Sequence, residues 1–343
     1  MWLNAPIVME GLHTISKRLT AHHLWFVLFL IVSLVPFGTP LMGLITLSLH
    51  DDRYSHIVLI PLMATSLIYL QRDRIFAFPR YSISEGGSLL VVGMALLWLT
   101  QSRFATLSPI DRLSGVVLAI VLVWMAGFVL CYGMQSFRAA LFPLLFLLMM
   151  IPVPTIALDK TVVALQEGSA VMTYGLFKLL GVPVLWQHFK FSLPGVEIEI
   201  AKECSGIRSS LALFITSILA GHVFLQSTWR RVLLILFTVP VVIFKNAVRI
   251  VTISCLGVYV NPAFLEGKLH RYGGLPFSLL SLAILVPLLF ALQKGETSTS
   301  ERPRGDAGAN GHDSTSVRPF EIRVDCLQVT TPNGLGANKD SDQ

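Results

Sequence analysis

Long apolar blocks dominate the amino-acid sequence, and they lack the period of an amphipathic helix or strand. Each approaches the ~20 residues that a helix needs to cross a bilayer. An outer-membrane barrel is excluded because its strands would alternate apolar and polar residues. The sequence therefore predicts an all-α integral membrane protein with about eight transmembrane helices. The predicted spans cover residues 24–48, 56–70, 87–100, 113–132, 139–158, 204–225, 232–258 and 275–292.

The scarcity of charged residues agrees with this prediction. Of the 343 residues, 54% are hydrophobic and 13% are charged, whereas a soluble domain carries about a quarter charged residues. This composition excludes an ordinary soluble enzyme. The formal net charge of +6 would suggest a nucleic-acid partner for a soluble protein. Since basic residues at membrane flanks set topology, we expect no nucleic-acid partner here.

The basic residues near the spans predict the orientation. If the N-terminus is cytoplasmic, nine basic residues fall inside and five fall outside, and an even number of spans places both termini in the cytoplasm. The inner set is Lys17, Arg18, Arg72, Arg74, Arg80, Arg138, Arg230, Arg231 and Lys294, and the outer set is Arg53, Arg103, Arg112, Lys268 and Arg271. We therefore predict a cytoplasmic N-terminus (1–23), a transmembrane domain (24–293) and a disordered cytoplasmic tail (294–343) that is rich in small and polar residues.

Residues 159–203 are too polar to cross the membrane and fall on the predicted outer side. Their first part, 159–180, has helical spacing and predicts an amphipathic helix on the membrane surface. Their second part, 189–200, alternates around Pro194-Gly195 and predicts a short hairpin. The hairpin leads directly to Cys204.

The first polar cluster occupies residues 203–210. Cys204 falls in the first turn of the sixth span, where free N–H groups and the helix dipole favour an anion and lower the pKa of a thiol. Arg208 follows one turn later on the same face and adds positive charge. The alternative is that the cysteine is a small apolar filler, which is our interpretation of Cys131 and Cys255.

The second cluster, residues 245–250, lies within the seventh span. An arginine inside a span costs about 2.5–3.5 kcal/mol, so Arg249 should face the bundle interior or a wet cavity. Asn246 precedes it by three residues and shares its face. The alternative is that Arg249 pairs with a carboxylate and only locks two helices together. We interpret Lys245 as a snorkelling or supporting group.

The third cluster ends in His270, just before the eighth span. A side chain that titrates near pH 6.5 suits proton transfer at neutral pH, although a solvated loop histidine is the alternative. Together, a thiol, an arginine and a histidine favour thiol acyl transfer. The sequence has no HExxH, G-x-S-x-G, P-loop or dinucleotide motif, and its four cysteines lack metal-ligand spacing. We therefore expect no metal and no cofactor.

At these residues the sequence resembles the exosortase/archaeosortase family of membrane cysteine transpeptidases. The resemblance covers residues from about 24 to 293, and residues 54–62 are similar to the family's first outer loop, with Ile57 where a glycine would be expected. The strings that carry it are Glu203-Cys-Ser-Gly-Ile-Arg208-Ser209, Asn246-Ala-Val-Arg249-Ile250 and His270.

The resemblance implies a protein-sorting enzyme of the bacterial inner membrane, with an extracytoplasmic active site and a link to exopolysaccharide production. Its substrates would be exported proteins whose C-terminal signal combines a brief motif such as Pro-Glu-Pro, a transmembrane helix and a basic end. Cys204 would form an acyl-thioester, which a lipid, a glycan or water would resolve. Arg249 and His270 would complete the catalytic set, and Arg208, Asn246 and Glu203 would bind substrate or support it.

Two other functions are open at this point. A non-enzymatic component of exopolysaccharide export or assembly would use Arg208, Arg249 and His270 to line a path for anionic glycans. A transporter would use the arginines as an anion site, but the sequence shows neither the repeat symmetry nor the paired broken helices of such proteins.

Overall fold

The structure is a computed structural model that describes residues 5–102, 107–200, 206–261, 263 and 274–300. Ten α-helices are found in these ranges. They are α1 (Ala5–His50), α2 (Leu59–Leu70), α3 (Arg72–Ile75), α4 (Ile83–Ser102), α5 (Pro109–Ala139), α6 (Leu141–Phe146), α7 (Thr155–Leu179), α8 (Ile207–Phe224), α9 (Thr228–Tyr259) and α10 (Gly274–Ser300). Short 3₁₀ turns at Asp52–Tyr54 and Leu147–Met150 follow α1 and α6.

Seven segments within the described ranges are long and apolar enough to cross a membrane. They are Ala21–His50, Asp52–Leu70, Ile83–Ser102, Pro109–Ala139, Ile207–Phe224, Thr228–Tyr259 and Pro276–Glu296. An eighth crossing is present if the bent pair of Leu141–Met150 and Thr155–Leu179 is counted as one. The prediction of an all-α membrane protein with about eight spans is confirmed.

The predicted fifth span, residues 139–158, is wrong as a continuous helix. Its helical part stops at Met150, and α7 begins at Thr155 with an 88° change of direction. Pro152 and Pro154 lie in the break, where a fixed φ and the missing N–H oppose continuation of the helix. The helix that the sequence predicts from residue 159 therefore begins at Thr155.

A side chain from α5 fixes the start of α7. The carboxylate of Asp111 accepts hydrogen bonds from the backbone N–H and from the hydroxyl of Thr155, both at 2.7 Å. Ser114 also donates to the carbonyl of Pro152 at 2.8 Å. The carboxylate satisfies a backbone N–H that has no partner within its own helix. The first turn of α7 is thus held against the N-terminal end of α5.

The predicted hairpin is confirmed and is part of a three-stranded antiparallel sheet. Strands β2 (Lys190–Leu193) and β3 (Val196–Glu199) flank the Pro194-Gly195 turn, and Gly195 adopts the left-handed conformation with φ +78°. Strand β1 (Leu185–Gln187), which the sequence analysis missed, pairs with β2. Side chains of α7, the sheet and α9 form one apolar cluster: Ala170, Phe177, Phe191, Leu193, Ile200 and Val251.

Helix α9 links these parts. Its 32 residues extend about 48 Å, whereas the apolar core of a bilayer is about 30 Å thick, so at least one end of α9 projects beyond it. Helix α8 runs antiparallel to α9, because Ser217 contacts Thr238 at 2.9 Å while the earlier Ser209 contacts the later Lys245. Helix α7 and the sheet pack against the C-terminal half of α9.

Two helices cross the predicted domain boundaries. Helix α1 already begins at Ala5, inside the segment predicted as a cytoplasmic N-terminus, and α10 continues to Ser300, past the predicted start of the tail at residue 294. Contacts with the start of α9 explain why α10 continues past residue 294. Glu296 accepts hydrogen bonds from the backbone N–H groups of Gln226 and Ser227, and Arg230 donates to carbonyls of α10.

We expect Asp111→Ala to destabilise the protein by about 1–2 kcal/mol, because it removes the side chain that caps α7. Apparent melting temperatures of the purified protein in detergent measure this effect. The matched control is Asp159→Ala on the exposed face of α7, expected within about 0.5 kcal/mol of wild type. Equal losses in the two variants would contradict a capping role for Asp111.

Candidate active site

The structure describes only part of the predicted catalytic set. Cys204, Glu203 and His270 lie outside the described residues. Arg208, Asn246 and Arg249 are described and lie on α8 and α9. The described residues nearest to Cys204 in sequence are Ile200 and Gly206.

Gly206 brings the start of α8 against α9. Its backbone is left-handed, with φ +72° and ψ +18°, a conformation that glycine adopts without steric cost. A Cβ atom at this position would lie 3.3 Å from Oδ1 of Asn246 and 3.5 Å from Nζ of Lys245. The glycine of the Cys-Ser-Gly string therefore serves both a turn and a close helix contact.

Asn246 is fully buried. Its Nδ2 donates to Oγ of Ser169 on α7 at 3.0 Å, and this hydrogen bond joins α9 to α7. Oδ1 then points toward Gly206 and has no hydrogen-bond partner in the described part of the chain. Because a buried acceptor without a partner costs about 1–3 kcal/mol, this oxygen marks a place where a donor is expected to bind.

Lys245 does not snorkel. The residue is 4% exposed, and its ammonium donates to the hydroxyl of Ser209 in the first turn of α8. Among the described residues, no carboxylate lies within ion-pair distance of it. A positive charge is therefore fixed beside the beginning of α8, and the interpretation of Lys245 as a supporting group is the one that fits.

Arg208 points away from this buried region. Its Nη1 donates to Oδ2 of Asp52 at 2.7 Å, and the two side chains are 61% and 75% exposed. Asp52 begins the 3₁₀ turn between α1 and α2, so the first interhelical loop contacts α8 through this ion pair. In the same loop, side-chain hydrogen bonds from Arg53 hold the pKa of the Asp51 carboxyl below its usual value.

Arg249 lies one helical turn beyond Lys245 on α9 and is half-buried. Asn246, three residues earlier, shares its side of the helix. The expectation that Arg249 faces the protein interior agrees with this partial burial. Its position relative to Cys204 and His270 stays a prediction.

Helix α7 contributes polar side chains to this region, which the sequence did not reveal. Gln166, Ser169 and Thr173 follow helical spacing on the buried face of this helix. Nε2 of Gln166 donates to the carbonyl of Ile200 at 2.8 Å, and Ser169 contacts Asn246 as described above. The sequence signal that could have revealed this contribution is the presence of three polar residues within the apolar stripe of an amphipathic helix.

These features define a helical membrane protein with a buried polar cluster where α7, α8 and α9 meet. The family model for transmembrane exosortases matches residues 47–287, more than two thirds of the chain. The chain therefore belongs to the transmembrane exosortase family, and the resemblance seen in the sequence is confirmed. Searches of curated proteins and of solved structures return no significant match.

We expect Gly206→Ala to destabilise the protein by about 1–2 kcal/mol, since a side chain in the left-handed region is strained and its Cβ would press on Asn246. Gly175→Ala is the control. Gly175 lies in α7, and a Cβ there would meet no atom within 4 Å, so we expect it to be neutral or slightly stabilising. A melting temperature of Gly206→Ala equal to that of the control would contradict the described geometry of this turn.

Proposed function

We propose that this exosortase is a cysteine transpeptidase and thiol protease that cleaves the C-terminal sorting signal of exported proteins. The observation that carries the proposal is the buried contact of Lys245 and Asn246 with Gly206, two residues beyond Cys204. A buried ammonium and a buried amide against Gly206, close in sequence to the proposed nucleophile, support a reaction centre in this part of the protein. A purely structural helix contact would not need a charge in this place.

In the proposed reaction, the Cys204 thiolate attacks the carbonyl carbon of the scissile peptide bond. The carbon–nitrogen bond then breaks, the amine leaves with a proton, and the substrate remains as an acyl-thioester. A hydroxyl or amine of a lipid or glycan, or water, attacks this thioester and releases the thiolate. The acceptor receives the acyl group, so the enzyme is regenerated without any net redox change.

We assign the remaining roles by chemistry. Arg249 keeps its charge at all relevant pH values and stabilises the oxyanion as a fixed cation. We assign proton transfer to His270, because an imidazole side chain has an ordinary pKa close to neutral pH. Asn246, Glu203 and Arg208 bind or orient the substrate.

The partners in this proposal are exported proteins with a tripartite C-terminal signal, and a membrane lipid or a glycan serves as acceptor. The location is the bacterial inner membrane, with both termini in the cytoplasm and the reaction on the outer side.

We expect Cys204→Ala to abolish processing of a co-expressed exported protein that carries a candidate C-terminal signal, because no other group supplies the thioester. Immunoblotting of the signal-bearing protein measures the ratio of precursor to product. The matched control is Cys255→Ala, which removes a free, half-buried thiol from α9 and should process at the wild-type rate. Unchanged processing by Cys204→Ala would contradict the enzymatic function and favour a non-enzymatic role in exopolysaccharide export.

We expect Cys204 to react from the outside and Cys326 only after membrane disruption, since the reaction is placed on the outer side and the tail in the cytoplasm. Variants that keep one of these two cysteines are treated in intact spheroplasts with a membrane-impermeant maleimide. Labelling is then read by gel shift. Rapid labelling of Cys326 in intact spheroplasts would overturn the predicted orientation, whatever the enzymatic activity.

A further inference from the structure

We propose that the protein binds the phosphodiester head group of an anionic phospholipid in a cavity between α3 and the end of α5. The cavity lies where several membrane spans begin or end, and arginine, glutamine and serine side chains supply hydrogen-bond donors to it. This inference goes beyond the proposed function and does not rest on it, because none of the residues involved belongs to the proposed catalytic set.

The cavity lies at the level where the chain leaves the membrane. The spans Asp52–Leu70 and Pro109–Ala139 end beside it, and the span Ile83–Ser102 begins there. Tyr69 and Tyr81, on either side of the segment that joins the first of these spans to the third, are both exposed. Exposed tyrosines are typical of the membrane–water interface, so the cavity is within reach of lipid head groups.

A break in α5 forms one wall of the cavity. Gly133 has φ +83° and ψ 171° within this helix, so the residues that follow it leave the axis of the preceding turns. The carbonyl of Tyr132 accepts a hydrogen bond from the backbone N–H of Arg80 at 3.2 Å. The carbonyl of Leu130 accepts from the backbone N–H of Ser82 at 3.3 Å. A Cβ at Gly133 would lie only 2.5 Å from the carbonyl oxygen of Arg80. These contacts hold the segment before α4 against the broken helix.

Polar and apolar side chains share the lining of the cavity. Its volume is about 330 Å³, within the range of about 300–1,000 Å³ that is typical of ligand sites. The polar side chains are Arg74, Gln135 and Ser136, and the apolar ones include Ile75, Ala77 and Phe78. Guanidinium, amide and hydroxyl groups all donate hydrogen bonds, and a guanidinium matches the geometry of a phosphate. The apolar part suits the glycerol and the first acyl carbons of a lipid, which a free phosphate lacks.

The charge around the cavity favours an anionic lipid over a zwitterionic one. Residues 71–82 and 134–139 carry four arginines and one aspartate, so positive charge is in excess. The aspartate, Asp73, lies 3.8 Å from Arg72. Among the described residues, no carboxylate lies within ion-pair distance of Arg74. Basic pockets between transmembrane helices bind the head groups of anionic phospholipids, and the guanidinium of Arg74 is the charge that is available for this contact.

The test measures lipid binding to the purified full-length protein in detergent. Native mass spectrometry follows titrations with short-chain phosphatidylglycerol, with phosphatidylcholine of the same chain length and with inorganic phosphate. We expect wild-type protein to bind phosphatidylglycerol about five- to tenfold more tightly than phosphatidylcholine, and inorganic phosphate more weakly than either lipid. Equal affinity for the two lipids, or displacement of phosphatidylglycerol by an equal concentration of inorganic phosphate, would overturn the proposal.

A pair of neighbouring arginines locates the site. We expect Arg74→Gln to weaken the binding of phosphatidylglycerol about fivefold or more, because it removes the charge that lines the cavity. Arg72→Gln is the matched control on the same helix. The guanidinium of Arg72 lies 4.4 Å from the ring centre of Tyr69 and does not line the cavity, so we expect an affinity within about twofold of wild type. Equal losses in the two variants would show attraction to the surface charge as a whole and would overturn the site.

A second variant fills the cavity without changing its charge. Ala77 lines the cavity and is exposed, so Ala77→Trp adds volume there without overpacking the protein core. We expect it to weaken the binding of phosphatidylglycerol about as much as Arg74→Gln does. Ala157→Trp, at an exposed position of α7, is the control and should bind like wild type. Wild-type affinity in both Arg74→Gln and Ala77→Trp would overturn the proposal, and either variant suffices if the other does not fold.

Discussion

The arrangement of the polar cluster depends on one constraint, which is that polar groups buried in a membrane protein must find partners inside the protein. Asn246 and Lys245 lie at the middle of an apolar helix and are buried. Ser169 of α7 satisfies the amide of Asn246, and Ser209 of α8 accepts from the ammonium of Lys245. Each contact joins α9 to a different helix, so two adjacent residues fix the mutual position of three helices. The side-chain oxygen of Asn246 is an exception to this requirement, because no described residue donates a hydrogen bond to it.

The break after α6 makes this arrangement possible. Because the chain turns after Met150, α7 packs along the C-terminal half of α9. Pro152 and Pro154 stop the helix, and Asp111 gives the new helix a cap at the point where the direction changes by 88°. The chain then runs along α9, forms the sheet and arrives at Ile200, where Gln166 of the same helix binds the carbonyl. Contacts of α7 thus hold both the start of this helix and Ile200, the last described residue before Cys204.

The sequence predicts those features that depend on local pattern, and it misses those that depend on distant partners. Apolar block length revealed the spans, and alternation around Pro194-Gly195 revealed the hairpin. The fifth span was wrong because its hydrophobicity continues through the proline break, and the cap that redirects the chain comes from a residue 44 positions earlier. Asn246 was found because amides are rare within spans. The role of Ser169 was not predicted, because serine is common on amphipathic helices and its partner lies 77 positions away in the sequence.

The environment of a charged side chain also depends on distant partners, and the structure changes the interpretation of Arg208. Sequence spacing placed Arg208 on the face of Cys204 as a source of positive charge. In the structure its guanidinium is paired with Asp52, 156 positions earlier, and both side chains are mainly exposed. Water and salt screen such a pair strongly, and the carboxylate offsets the charge of the arginine. Lys245 has no carboxylate partner in the described chain, and burial reduces the screening of its charge. The fixed charge that borders Gly206 therefore comes from the lysine of α9, while the arginine of α8 joins its helix to the first interhelical loop.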